Sequence, residues 1–504
     1  MDSTEPCFIN NRKHGNVNWL PFLRQMFISS GVWTFAFMFG LSFGVPTVAI
    51  PQLRKEYNET SMIDIHLESW LSSAMLFGGI PWVFILTILV YAIGRKKTFL
   101  IISITSLVGF IIVYFGASIT YIFIYQVIQG PLAVSQMTTS FLVEYISPKY
   151  RGVFCTVQVG TMFWGIWVSN AIGTFSHWSN IILVGIICAL YNVINVFLWP
   201  ESPYWLSIKG RFTKCIESHR WLKGIDERSE KELADLLKIN KDTTKLNATF
   251  IREHTREFFK VILLPEVYKP SALCLLTISM YHLSGKVVYT IYSLTVIKKI
   301  TGNESTAYIG MLILDGITVA SLYSGSFLTL ILTRRMLLLS TSLLTSLFLL
   351  SLSLYAYLIK SSLIFENVFV TITLLTLFSS VVSVGPLCIN GILIGELMPL
   401  KSRSVFVFIF TLYGKCLVAI MIKVSPYLFK YLDLHGSFLF YGLAMFVCLC
   451  LTYKYLPETK DKTLIEISEN FKRTEGSFEE VKELMLIHTC DGNKLKSASS
   501  DNCT

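Results

Sequence analysis

Residues 200–224 read PESPYWLSIKGRFTKCIESHRWLKG. They open the longest polar stretch of the chain, which continues through the mixed-charge KELADLLKINKDTTKLN of residues 231–247 to about Lys269. Between Glu201 and Lys269 stand 14 Lys and Arg against 11 Asp and Glu, so this stretch is solvated and mildly basic. Apolar residues recur at helical spacing, Ile216 with Trp221 and Leu222, then Leu233 with Leu236 and Leu237, which predicts short amphipathic helices. Apolar segments long enough to cross a bilayer flank the stretch, six before it and six after. The reading is a polar linker between two equal hydrophobic halves.

Composition agrees. Of 504 residues, 53% are hydrophobic and 15% are charged, against about 25% charged in a soluble chain. Runs of about 20 apolar residues, rather than alternating strands of about ten, predict an all-α membrane protein. The net charge of +10 belongs to loops on one side of the membrane. No basic run interleaved with aromatics points to nucleic acid. The 11 cysteines are scattered, without disulfide or metal-ligand spacing. No metal site, cofactor motif or phosphate-binding loop is expected. The first 25 residues are polar, so no cleavable signal is expected.

The expected spans are 27–50, 68–90, 98–117, 121–143, 154–175 and 179–199, then 271–297, 306–332, 336–358, 367–395, 404–429 and 435–456. The chain divides into a tail (1–26), a six-helix bundle (27–199), the linker (200–270), a second bundle (271–456) and a C-terminal tail (457–504). Charge orients it. Arg12, Lys13, Arg24, Arg95, Lys96, Lys97, Lys149, Arg151, Arg334, Arg335, Lys401 and Arg403 fall on one side, predicted to be cytoplasmic together with both termini. Lys298 and Lys299 are exceptions. The sequons at Asn58 and Asn303 fall outside and are candidate glycosylation sites, whereas that at Asn247 falls inside. Gly40, Gly44, Pro46 and Pro51, then Gly78, Gly79 and Pro81, then Gly385 and Pro386, mark either close helix packing or bent helices lining a cavity.

The loops carry five motifs in order: Gly94-Arg95-Lys96; Glu144 through Arg151-Gly152; Pro200-Glu201-Ser202-Pro203-Tyr204-Trp205-Leu206; Gly395-Glu396-Leu397-Met398-Pro399 with Arg403; and Pro457-Glu458-Thr459-Lys460. This set resembles the sugar porter family of the major facilitator superfamily, over about Arg24 to Ile467. Leu41–Leu53 and Ser69-Trp70 look most like its insect facilitated trehalose transporter branch. The resemblance implies a plasma-membrane carrier, not an enzyme, that moves a hexose- or trehalose-like solute by alternating access. It further implies that Arg95, Glu144, Arg151, Glu201, Arg334, Glu396, Arg403 and Glu458 form a cytoplasmic gate of ion pairs between the halves, the alternative being that they anchor helix ends to headgroups. The family's symporters carry an acid in the first span; none stands there, so facilitated diffusion is expected.

The chain departs from the pattern in its pore. The amide-rich stretch of the seventh span reads Tyr281-His282-Leu283-Ser284-Gly285-Lys286-Val287-Val288-Tyr289-Thr290-Ile291-Tyr292, without the family's glutamines and asparagine. Gly391 and Gly414-Lys415 replace tryptophan-bearing positions, Gln126 replaces an arginine, and Val159 a glutamine, with Gln158 beside it. A neutral polyol needs several two-way hydrogen-bonding groups and an aromatic face. The candidate solute contacts are therefore Gln158, Tyr281, His282, Lys286, Tyr289, Tyr292 and Asn390. His282 is equally readable as a packing residue. Lys286, Asp315 and Lys415 are charges inside spans, where charge is costly. Lys286 and Asp315 fall about 16 and 14 Å from the same membrane face by helical rise, so they either pair with each other or each face an aqueous cavity separately. The alternatives are a receptor that binds solute without moving it, or a carrier for a small anion. The expected partners are a small solute and the bilayer.

Overall fold

The computed structural model describes residues 19–56, 64–116, 118–244, 265–397, 403–458 and 460. Asn58, Asn247, the side chain of Arg403, most of both tails and the second part of the linker lie outside the described residues. The described chain is helical, without a strand. Its first half comprises α1 (Leu20–Glu56), α2 (Ile65–Ile93), α3 (Arg95–Phe115), the short α4 (Ile119–Ile128), α5 (Gly130–Ala133) and α6 (Ser135–Tyr145), then α7 (Arg151–Phe175) and α8 (Ser179–Phe197). The linker forms α9 (Pro203–Ile208), α10 (Phe212–Lys223) and α11 (Glu227–Thr244). The second half comprises α12 (Pro265–Leu283), α13 (Lys286–Ile291), α14 (Ser293–Thr301), α15 (Glu304–Ile331), α16 (Arg334–Lys360), α17 (Val368–Val382), a π-helical turn (Ser383–Leu387), α18 (Cys388–Leu397), α19 (Arg403–Tyr431) and α20 (Asp433–Tyr455).

Eleven helices among the described residues are long and apolar enough to cross a membrane. The stretch expected as one span at 121–143 is instead α4–α6. Its first break falls at Gln129-Gly130-Pro131, where proline lacks the donor that would continue the ladder, and its second at Val134. A Cβ on Gly130 would stand 2.5 Å from the Gly78 carbonyl carbon, so α5 and α2 touch backbone to backbone. Gly40 and Gly165 do the same for α1 and α7, each Cα lying within 3.0 Å of the other's ideal Cβ. The expected seventh span is broken at Ser284-Gly285, where Gly285 has φ +74°. The π turn with Pro386 loosens the 368–397 segment. Small residues thus serve both expected purposes, packing in the first half and bending in the second.

The same pairings recur in each half. α1 packs on α7 as α12 packs on α19, α3 on α8 as α16 on α20, and α2 on α4–α5 as α15 on α17. That is the signature of a parallel internal repeat. The halves meet along α2–α19 and α7–α15. In the linker, Trp205, Leu206, Cys215 and Leu233 bury one another, with Ile216, Leu236 and Leu237 against them. Arg24 at the start of α1 donates to the Trp221 carbonyl (2.8 Å) and lies over its ring, seating the linker at one end of the molecule. This is the linker end; the opposite end is the far end.

Candidate functional site: the seam between the halves and its two ends

At the linker end, charges cluster within each half. Arg95 grips Glu144 bidentately, Nε to Oε2 at 2.8 Å and Nη2 to Oε1 at 2.7 Å. Glu201 Oε1 accepts from the amides of Arg95 (2.8 Å) and Lys96 (3.1 Å), capping the otherwise unsatisfied start of α3. Gly94 allows this approach: its φ is +96°, and a Cβ there would stand 2.5 Å from Glu201 Oε2. Ser202 ties the cluster by donating to Glu144 (2.6 Å). The second half repeats the device. Glu458 accepts from the amides of Arg334 and Arg335, both at 3.1 Å, capping α16, and Arg334 pairs with Glu396 at 3.5 Å. Arg151 reaches the linker helix α11, 3.9 Å from Glu232. The pairs described above lie within a half or reach the linker, in an arrangement whose far end is the closed one.

Polar bonds between the halves lie toward the far end. Thr47 on α1 donates to the Ile291 carbonyl (2.8 Å), and Lys55 pairs with Glu304 (2.5 Å). Lys423 on α19 donates to Ser69 on α2 (2.8 Å), its ammonium 3.7 Å from the Trp70 ring centroid. Deeper in, Trp167 donates to the Leu312 carbonyl (3.2 Å), and Asn170 donates to Asp315 Oδ2 (2.6 Å). The far end is therefore closed across the seam. Its exceptional lysines are neutralised in place: Lys298 by Glu304 (3.0 Å), Lys299 by Asp433 (3.3 Å). Exposed Asn303 caps α15, its side-chain oxygen accepting from the Ser305 amide (3.0 Å).

The intramembrane charges sit differently from expectation. Lys286 Nζ donates to Thr318 (2.9 Å) and to Ser379, and Asp315 takes its hydrogen bond from Asn170. Lys286 and Asp315 form no direct ion pair, although each stands within the other's field; Thr318, three residues along α15 from Asp315, takes the Lys286 hydrogen bond. A cavity of about 10 Å³, room for about one water molecule, adjoins Lys286, Leu314, Phe378 and Ser379. Lys415 faces Phe39 of the first half, 5.7 Å from its ring centroid.

Among the candidate contacts, Tyr281 and His282 lie together, their rings 4.9 Å apart. His282 adjoins Gly414, next to Lys415. Gln158 donates to Thr138 (3.1 Å). Asn390 Oδ1 is buried without a hydrogen-bond partner. Tyr289 is stacked on Phe438 (4.8 Å) within an aromatic cluster of Phe378, Phe429 and Tyr441, and Tyr292 donates to the Ile422 carbonyl (3.3 Å). Tyr289 thus packs within the second half, whereas Tyr292 also reaches Ser72 on α2 of the first half. Sequence reasoning missed Asn170, Lys423 and Thr318, and named Ser69 only through the resemblance. A polar side chain in an apolar run was the available signal, and it does not specify a partner.

Comparisons with known proteins agree with this architecture. The chain is 23% identical over 392 residues to a facilitated trehalose transporter of Bombyx mori, covering 77% of this chain and 75% of that protein. It is 23% identical over 466 residues to the Apis mellifera ligustica protein of the same name, covering 89% and 88%. The proton:xylose symporter XylE, a major facilitator superfamily protein solved with 6-bromo-6-deoxy-D-glucose, superposes with a TM-score of 0.72 at 15% identity, over 90% of this chain and all of that one. The sequence profile of the family described as "Sugar (and other) transporter" matches residues 31–471, and the chain belongs to that family, a multi-pass membrane carrier of the major facilitator fold and not an enzyme.

Proposed function

We propose that this chain carries a sugar-like solute down its gradient across the plasma membrane, by alternating access between two six-helix bundles. In this reading α4–α6 supply a twelfth span, and the linker and both termini face the cytoplasm. The observation that carries it is the asymmetry of the seam. Polar bonds cross it toward the far end, whereas at the linker end Arg95 grips Glu144 and Arg334 pairs with Glu396 within their own halves, which supports halves that rock as units. Asn170, Asp315, Trp167 and Lys423 hold one outward-closed arrangement, and alternating access requires them to part. The basic residues at the linker end, against the neutralised lysines at the far end, support the orientation. The trehalose named for the insect relatives and the xylose named for the structural neighbour support a saccharide as the first solute to try.

The test is counterflow in proteoliposomes loaded with unlabelled trehalose, glucose or xylose. Saturable, stereoselective accumulation of labelled sugar without a proton gradient is expected. Binding without movement would instead make the protein a receptor. For orientation, a glycosidase-sensitive mass shift should disappear when Asn58 and Asn303 are both changed to Gln, and Asn247→Gln should have no effect. Glycan on Asn247 would refute the assigned sides.

A further inference from the structure

Lys415 lies about midway along α19 and is only 8% exposed. Among the described residues its ammonium has neither a hydrogen-bond acceptor nor an ion-pair partner; its recorded neighbour is the Phe39 ring, contributed by the other half. Lys286 shows what a satisfied ammonium looks like here, with two hydroxyls on its Nζ and Asp315 on the adjoining turn. Two lysines against one aspartate leave the middle of the protein with one positive charge in excess. An uncompensated ammonium at this depth is costly, and a cation–π contact recovers only part of the cost.

A second polar group stands beside Lys415. Gly414 leaves room for His282, whose Nε2 lies 3.5 Å from where a Cβ would stand, and His282 Nδ1 is buried without a partner. The groups come from α1, α12 and α19, on both sides of the seam. A ligand here would touch both halves near the midplane, where alternating-access carriers hold their solutes.

We infer that this central site recognises a small monoanionic polyol, a sugar acid, whose carboxylate is taken by Lys415 with His282 as a second hydrogen-bond partner. A single excess charge matches one carboxylate; a phosphate dianion would leave a net negative charge in the same place. Phe39, under the Lys415 ammonium, and Tyr281, against the His282 ring, supply aromatic carbon beside these polar groups. This inference rests on the carrier reading above and narrows its solute class.

The experiment uses the full-length protein in detergent, with glucuronate and glucose as probes at constant ionic strength. Isothermal titration should show glucuronate binding at least about ten-fold tighter than glucose. Lys415→Met should erase that difference, and Lys415→Arg should keep most of it. Because the ammonium is uncompensated in the free protein, Lys415→Met should also melt at a higher temperature than the parent. Equal affinity for the two probes, absence of glucuronate binding, a preference that survives Lys415→Met, or a lower melting temperature in that variant would each overturn the inference. Glucose or trehalose counterflow that ignores both glucuronate and Lys415→Met would sink the inference alone and leave the carrier reading standing. Failure of every solute, glucuronate included, to show counterflow would sink the carrier reading itself.

Discussion

Asn170→Ala tests whether the far-end seam is a latch. In the closed arrangement Asn170 Nδ2 donates to Asp315 at 2.6 Å, and Asp315 is only 4% exposed. A hydrogen bond to a charged group contributes about 1.5–3 kcal/mol, and a buried carboxylate left without it loses its principal donor. When the halves part at the far end, water can replace Asn170, so the loss falls on the closed state. The population open at the far end should therefore rise by a factor of roughly 10–150. Asp315→Asn keeps the geometry with a neutral acceptor and loses about 1 kcal/mol, or roughly five-fold. The readout is amide hydrogen exchange, resolved by mass spectrometry, of residues 44–52 and 288–300, which meet through Thr47 and Ile291. Faster exchange there, with exchange at residues 95–103 unchanged, is expected for both variants, in the order Asn170→Ala above Asp315→Asn. Unchanged exchange in both, or an equal rise at the linker end, would refute the latch and leave the bond a local packing feature.

Glu201→Ala and Glu458→Ala should each lower stability by about 1–2 kcal/mol, because each uncaps two helix-start amides; lying in different halves, their effects should add in thermal unfolding, and a strongly non-additive double variant would contradict separate clusters. Gly285→Ala should cost about 1–2 kcal/mol for the left-handed backbone alone and more for a Cβ placed 2.8 Å from the Tyr289 ring, whereas Gly210→Ala, at φ +70° with open space, should pay only the backbone strain; equal melting temperatures would count against the break at Gly285. His219 in the linker is buried with neither ring nitrogen hydrogen-bonded, and burial together with the Lys223 ammonium pushes its pKa from 6.5 down to about 4. The folded linker thus binds fewer protons than the unfolded one, so its docking is full above pH 6.5 and weakens as pH falls toward 4. Trp221 fluorescence should report that loss, and His219→Phe should flatten it; an unchanged profile in the variant would place the titration elsewhere.

How much of this was legible in the sequence depends on whether a property is local. Apolar run length, the polar linker and the order of loop motifs each follow from neighbouring residues, because a helix in lipid must satisfy its own backbone and must be about 20 residues long. The fold class and the family therefore required no coordinates. Even the break at Ser284-Gly285 had its residue in view, since glycine is the residue that tolerates a positive φ.

Partner choice was decided only by the tertiary structure. Lys286 and Asp315 share a depth, but depth is one coordinate and a contact also needs rotation about each helix axis. Spans that are apolar on nearly every face carry little sequence record of that rotation. The packing of α7 against α15 turned Asp315 toward Asn170, and the packing of α13 turned Lys286 toward Thr318 and Ser379. Tyr289 looked like a pore residue by position and became the centre of an aromatic cluster by the same rotation. At the linker end the chain names its acids and arginines, but Glu201 and Glu458 cap the helices of their own halves because the close approach of backbone at each helix start, through Gly94 in the first half, exists only once those helices have packed.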